Sequence, residues 1–217
     1  MSGIVEQLVH AAGYMAKKNL VWGNSGNISA RDKNELWITG SGTMISEIKE
    51  KEFVKCFVSG KHDASERKPS KELPMHQAVY QERPDIQCVL HASPFFSTLV
   101  ACSEIMLESN LFVESMYYLY DIEKIDYFHP GSIKLAEAVR RKAADTNVML
   151  LKNHGVLVYD ISIREALARL ETLEITSRMI ICTKAGGIDL NSIDGSTVDD
   201  FIYHSGYKPI LPRGALK

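Results

Sequence analysis

The stretch KPSKELPMHQAVYQERPDIQCVLHASP, Lys68 to Pro94, reads as helix, stop and buried strand in immediate succession. Pro69 and Ser70 open a helix running to about Glu82. Pro74 is tolerated there because a first-turn residue has no intrahelical acceptor for the N–H that proline lacks. Arg83-Pro84-Asp85 stops the helix. Ile86 to His91 then has the length and composition of a strand buried on both faces, and Pro94 starts a further helix to about Cys102. His91 ends that strand, so its imidazole reaches beyond the sheet edge, where sites are commonly built.

Upstream, Ile4, Val5, Leu8, Val9, Ala12 and Met15 recur at helical spacing behind Ser2, a potential cap, and Asn19 and Gly23 end that helix. GNSGNISAR and ELWITGSGT each join a glycine-rich turn to alternating, strand-like residues. Downstream, Leu111 to Tyr118 and Ile122 to Phe128 are predicted strands. His129-Pro130-Gly131 is a turn, and Ser132 caps a helix over Leu135 to Ala144. Val148 to Leu151 and Val156 to Tyr159 flank Asn153-His154-Gly155, a bend between two buried strands or a bulge within one. Ser162 and Glu165 have capping-box spacing ahead of a helix to Gly186-Gly187, and residues 188–217 form a polar tail with a short helix near Val198. Interleaved helices and short, hairpin-connected strands predict an α/β fold with a mixed, mostly antiparallel sheet covered on both faces. Neither glycine-rich turn reads Gly-x-Gly-x-x-Gly, which argues against a dinucleotide fold.

With 217 residues and 45% hydrophobic composition, one domain over 1–217 is expected, with 188–217 as its C-terminal tail. A formal charge of −2, from 25 basic and 27 acidic residues, gives no field to recruit nucleic acid or an anionic membrane. The N-terminal apolar stretch contains Glu6 and His10 and lacks a preceding basic segment, unlike a signal peptide. No run reaches membrane-spanning length. Cys56, Cys88, Cys102 and Cys182 form no Cys-x-x-Cys pair and are read as reduced core residues of a cytoplasmic protein.

Chemistry concentrates in a few positions. His154 sits between Asn153 and Gly155, a backbone that plain packing between strands does not require. Together with His91 it offers two neutral imidazoles, which suit zinc and other late first-row cations, whereas a catalytic zinc usually has about three protein ligands. Glu72, Ser93, Glu114 and His129 are candidates for the third. Glu72 stands at the start of its helix, where the dipole favours an ionised ligand or base. His76, one turn on, reads as a hydrogen-bonded core residue. The loops Gly23–Asn27 and Thr39–Thr43, with Ser70-Lys71, combine backbone N–H groups and small polar side chains suited to a phosphate.

Taken in order, GNSGNIS, ITGSGT, the Lys68–Pro94 stretch, YFHPGSIKLAEAV and LLKNHGVLV resemble the class II aldolase/adducin family over about Gln7 to Gly187. The resemblance implies a three-layer α/β/α sandwich, often in fourfold-symmetric tetramers with active sites between subunits. It implies that Gly26, Asn27, Ser41, Gly42, Ser70 and Lys71 surround a substrate phosphate, that Glu72 is the acid/base, and that His91 and His154 are two of three histidines holding Zn2+ or another divalent ion. Ser93 stands where the family's His-x-His pair has its second histidine. Glu114, in a strand position where relatives frequently carry an acid, is then the expected replacement ligand, with the turn residue His129 as the alternative, and Tyr118, or its neighbour Tyr117, is the residue expected to protonate an aldehyde oxygen. The implied reaction is metal-dependent cleavage of a ketose 1-phosphate to dihydroxyacetone phosphate and an aldehyde. Epimerase, dehydratase and decarboxylase chemistries, or a non-catalytic adducin-like module, are the alternatives.

Overall fold

The computed structural model describes residues 3–60 and 67–208; the proposed Ser2 cap and the end of the tail lie outside them. β1 (Asn27–Asp32) and β2 (Glu35–Thr39) form a hairpin with Lys33 left-handed at φ 57°. β3 (Phe53–Phe57), β4 (Cys88–Ala92), β5 (Ile122–Ile125), β6 (Val148–Leu151) and β7 (Gly155–Asp160) complete a seven-stranded sheet in the order β3-β2-β1-β4-β7-β6-β5. β5 pairs with β6 in parallel; the other pairings among the described residues are antiparallel.

The sheet is the middle of three layers. α1 (Gly3–Lys17), α3 (Phe95–Ala101) and α6 (Ile163–Gly186) cover one face, and α2 (Leu73–Glu82) and α5 (Ile133–Lys142) the other. Strand alternation assigns the two cores. Cys88, Leu90 and Ala92 of β4 join the α1/α6 side, while Val89 joins the α2/α5 side. Because β4, β6 and β7 are buried on both faces, they read in sequence as continuous apolar runs. Each Val, Leu or Ile so buried contributes about 1.5–3 kcal/mol.

Several ends follow the sequence signals. Asn19 takes φ 56° just beyond α1. The Ser132 hydroxyl accepts from Leu135 N at the start of α5, Ser162 accepts from Glu165 N at α6, and Gly187 closes α6 at φ 63°. The stop after α2 is also an anchor. Buried Arg83 grips Asp85 with Nε at 2.9 Å and Nη2 at 2.7 Å, and reaches Asn147 Oδ1 at 3.1 Å beside β6.

Other elements depart from expectation. The predicted strand over 111–118 is instead α4 (Val113–Tyr118). Its aromatic and β-branched residues suggest a strand, but burial falls on Ser115, Met116, Tyr118 and Leu119, a helical stripe. α2 begins at Leu73 rather than Ser70, because Pro69 bridges Gly40 and Ser70 N donates to Thr39 O, drawing that segment against the end of β2. β3 has no counterpart above; its FVKCF pattern follows a charged stretch that masks it. Cys56 and Cys88 are buried free thiols, whereas Cys102 and Cys182 are exposed, so the core reading fails for those two. The tail carries α7 (Gly195–His204), which packs against α4. No described helix is long and apolar enough to cross a membrane.

Candidate metal and acid/base site

Antiparallel pairing brings four chain segments to one end of the sheet. Asn27, which opens β1, pairs with His91 near the end of β4. Ala92 pairs with Val156, next to Gly155 at the start of β7. β2 ends there at Thr39, and the bridge from Gly40 to Pro69 places Ser70 to Glu72 over the same end. The β6–β7 connection is tight, with Asn153 at φ 54° and His154 N donating to Leu151 O at 3.1 Å, which turns His154 back over β4.

Three side chains converge as a result. Glu72, His91 and His154 offer ligand atoms within 4.8 Å of one another. His91 Nε2 is 3.2 Å from Glu72 Oε2, His154 Nε2 is 3.3 Å from Glu72 Oε1, and the two ring centroids are 4.7 Å apart. His91 Nδ1 lies 3.0 Å from the Val156 carbonyl. A carbonyl only accepts, so Nδ1 carries a proton in this contact, and Nε2 is the ring nitrogen that faces the carboxylate. Glu72 Oε1 is buried with no hydrogen-bond partner. Burial, and next the neighbouring His91, lower the His154 pKa to about 4 despite Glu72, which favours its neutral form. Two imidazoles and an under-satisfied buried carboxylate facing one another are the donor set a divalent cation fits.

Behind Glu72 runs a buried chain of hydrogen bonds. Asn27 Nδ2 donates to Glu72 Oε2 at 2.8 Å, and Asn27 Oδ1 lies 2.6 Å from His76 Nε2. His76 Nδ1 lies 2.7 Å from Ser29 Oγ, itself 2.8 Å from Tyr80 OH. One assignment satisfies every group. Tyr80 donates to Ser29, Ser29 to His76, His76 to Asn27, and Asn27 to the carboxylate. It requires neutral His76, whose pKa burial, and then His91, lower to about 3. The chain holds the carboxylate in place without neutralising it. His76 is therefore the hydrogen-bonded core residue its helical spacing suggests; the spacing of single residues gives no sign that Asn27 links it to Glu72.

Asn27, one of the expected phosphate residues, is only 6% exposed, and both ends of its side-chain amide are engaged by Glu72 and His76. Gly26 is required for a different reason. Its φ is 80°, and an added Cβ would lie 2.5 Å from the His91 carbonyl, so this glycine lets the loop cross the strand that carries His91. Ser41, Gly42 and Lys71 are exposed at this end of the sheet, and Ser70 is half-buried with Oγ accepting from Glu72 N at 3.2 Å.

Glu114 and Tyr118 are not brought to this group. Glu114 is exposed on α4, a helix and not the expected strand, and the third donor beside the two histidines is Glu72. Tyr118 donates to Glu165 Oε2 at 2.8 Å and also contacts Lys208. Its carbonyl accepts from Arg169, which pairs with Asp160 at 2.7 Å. Asp160 closes the far end of β7, roughly 17 Å from Gly155 at about 3.3 Å per residue. Within one chain Tyr118 therefore braces α4, α6 and the tail, away from the three donors. His129 is exposed, with Nδ1 3.4 Å from Tyr127 OH; its turn reaches Lys71 through Gly131, where an added Cβ would meet the Lys71 carbonyl at 2.8 Å.

Residues 6–181 match the family model described as Class II Aldolase and Adducin N-terminal domain. An L-fuculose phosphate aldolase from Methanocaldococcus jannaschii is 27% identical over 176 residues, 81% of this chain and 94% of that protein. A 3-oxo-tetronate 4-phosphate decarboxylase from Escherichia coli is 27% identical over 180 residues, 81% of this chain and 84% of that protein. A solved structure of an L-fuculose 1-phosphate aldolase superposes with a TM-score of 0.84 at 26% identity, over 93% of this chain and 95% of that one. The chain belongs to the class II aldolase and adducin family, and within it is an enzyme of the lyase class.

Proposed function

We propose that this protein is a metal-dependent aldehyde-lyase that cleaves a ketose 1-phosphate resembling L-fuculose 1-phosphate into dihydroxyacetone phosphate and an aldehyde. The observation that carries the reading is the buried Glu72 carboxylate facing the His91 and His154 imidazoles at 3.2 and 3.3 Å. When bound, Zn2+ or another divalent ion supplies Lewis acidity that stabilises enediolate charge next to the substrate carbonyl. His91 and His154 hold that ion, with His91 oriented by the Val156 carbonyl. Gly26, Ser41, Gly42, Ser70 and Lys71 bind the phosphate through backbone N–H groups, hydroxyls and one ammonium.

Cleavage breaks the bond between the carbon next to the carbonyl and the hydroxyl-bearing carbon beyond it. The hydroxyl proton passes to the Glu72 carboxylate as that carbon becomes an aldehyde, and the bonding pair passes into the enediolate. Glu72 then delivers a proton to the carbon that has lost its bond, giving dihydroxyacetone phosphate. Asn27 keeps the carboxylate oriented for this transfer. We take 1–217 as one cytoplasmic domain that works as a homotetramer.

Phosphate-ester decarboxylation is the second reading, favoured by the similarity to the 3-oxo-tetronate 4-phosphate decarboxylase. It also leaves an enolate-type charge beside a carbonyl, with carbon dioxide in place of the aldehyde. The test is product analysis with metal-loaded protein. Aldehyde and dihydroxyacetone phosphate from L-fuculose 1-phosphate support the lyase reading; carbon dioxide from a 3-oxo acid phosphate, with no retro-aldol cleavage, replaces it with the second. Neither activity, with substoichiometric metal at saturating supply, would sink the enzyme assignment and favour a binding module.

A further inference from the structure

Ser93 lies just beyond β4, two residues from His91, and strand alternation puts both side chains on one face. The residue before a proline is held extended, which preserves the alternation into Pro94. The segment is clamped from both sides. Trp22 Nε1 donates to the Ser93 carbonyl at 3.1 Å, and a Cβ added to Gly155 would stand 3.0 Å from Ser93 Oγ and 2.5 Å from the Ala92 carbonyl. The hydroxyl therefore sits against the residue that follows His154, 5% exposed, on the face that carries His91.

We propose that Ser93 faces the cation held by Glu72, His91 and His154, so that the centre is a two-histidine, one-carboxylate site that discriminates less between Zn2+ and Mn2+ than a third imidazole in this position would allow. The inference rests on reading the three residues as a cation site. Its chemistry follows from donor type. An aliphatic hydroxyl is a weak ligand that leaves the position to water, whereas imidazole, a borderline donor, and thiolate, a soft one, favour zinc and cobalt over manganese. Two imidazoles and a carboxylate form a donor set compatible with either class.

Ser93→Cys is nearly isosteric and tests the placement directly. Metal-free wild type and variant are titrated with Co2+, Zn2+ and Mn2+ by calorimetry and absorption spectroscopy. The variant is expected to show a thiolate-to-cobalt charge-transfer band that wild type, with the same four native cysteines, does not. Its Zn2+ affinity is expected to rise about tenfold or more, with a smaller gain for Mn2+. Ser93→His, which supplies a nitrogen donor at the same position, should raise the Zn2+ to Mn2+ preference in the same direction. No cobalt–thiolate band and an unchanged preference in both variants overturn the proposal. These readouts need no turnover, so a protein that shows them yet cleaves no ketose phosphate would refute the lyase reading and leave this inference standing.

Discussion

Asn27 Nδ2 donates to Glu72 Oε2 at 2.8 Å, and the same Asn27 pairs across the ladder with His91, so one residue touches both the strand that carries His91 and the carboxylate opposite it. Asn27→Ala removes the donor to a buried carboxylate and the acceptor for His76. A hydrogen bond to a charged group contributes about 1.5–3 kcal/mol. The expected result is a fall in kcat of roughly 10- to 100-fold, in line with that range, with cation stoichiometry retained. Steady-state kinetics alongside elemental analysis check it; unchanged kcat would remove Asn27 from the positioning of Glu72.

Much of this end of the sheet is legible in the sequence, and for physical reasons. β4 reads as a strand because burial on both faces forces an apolar run, and His154 stands out because Asn153 and Gly155 signal an irregular backbone. The role of Asn27 does not, since its loop is rich in small polar residues whether it binds phosphate or braces a carboxylate. The β1–β4 register, a relation between residues 64 positions apart, sets Asn27 beside His91, and the Gly40–Pro69 bridge brings Glu72 to the same end, so the Asn27 amide meets Glu72 only through tertiary pairing. The 111–118 segment misleads because its aromatic residues favour strands locally, whereas packing of Tyr118 and Leu119 beside α6 decides for a helix.

Glu72 and His154 both belong to the candidate cation site, but only Glu72 also moves the proton. Glu72→Gln keeps the shape and both imidazoles while removing the base, so turnover should drop about 10²- to 10⁴-fold even at saturating metal. His154→Ala deletes one of two nitrogen donors, and its larger effect should fall on cation affinity. Calorimetric metal titration beside kinetics distinguishes the two. A Glu72→Gln variant of full activity would show that the proton transfer belongs to another group.

Gly26 is one of the positions at which the fold leaves no room for a side chain. At φ 80° a Cβ costs about 1–3 kcal/mol of backbone strain, and here it would also press on the His91 carbonyl from 2.5 Å. Gly26→Ala should therefore lower thermal stability and weaken metal binding together, because the strain is relieved by moving β4. Gly23→Ala, also at positive φ but with open space around its Cβ, should lower stability with less effect on metal affinity. Equal losses of metal affinity in the two variants would show that the close approach to His91 is irrelevant.

His76 makes stability depend on acid. Its folded pKa is lowered to about 3 by burial, against an ordinary value of 6.5, so below pH 6.5 the unfolded chain binds a proton that the native chain refuses. Stability is therefore fully present above pH 6.5 and falls as pH drops toward 3, by up to about 1.4 kcal/mol per pH unit from this residue alone. His76→Gln can still donate to Asn27 Oδ1 and accept from Ser29 Oγ but has no proton to take up. In chelator, which removes the contribution of bound cation, the variant's denaturation midpoint should be lower at pH 7 and yet decline less steeply than that of wild type between pH 6.5 and 4. His154, lowered to about 4, accounts for part of the slope that persists. Parallel pH profiles for the two proteins would show that His76 is not held neutral in the native state.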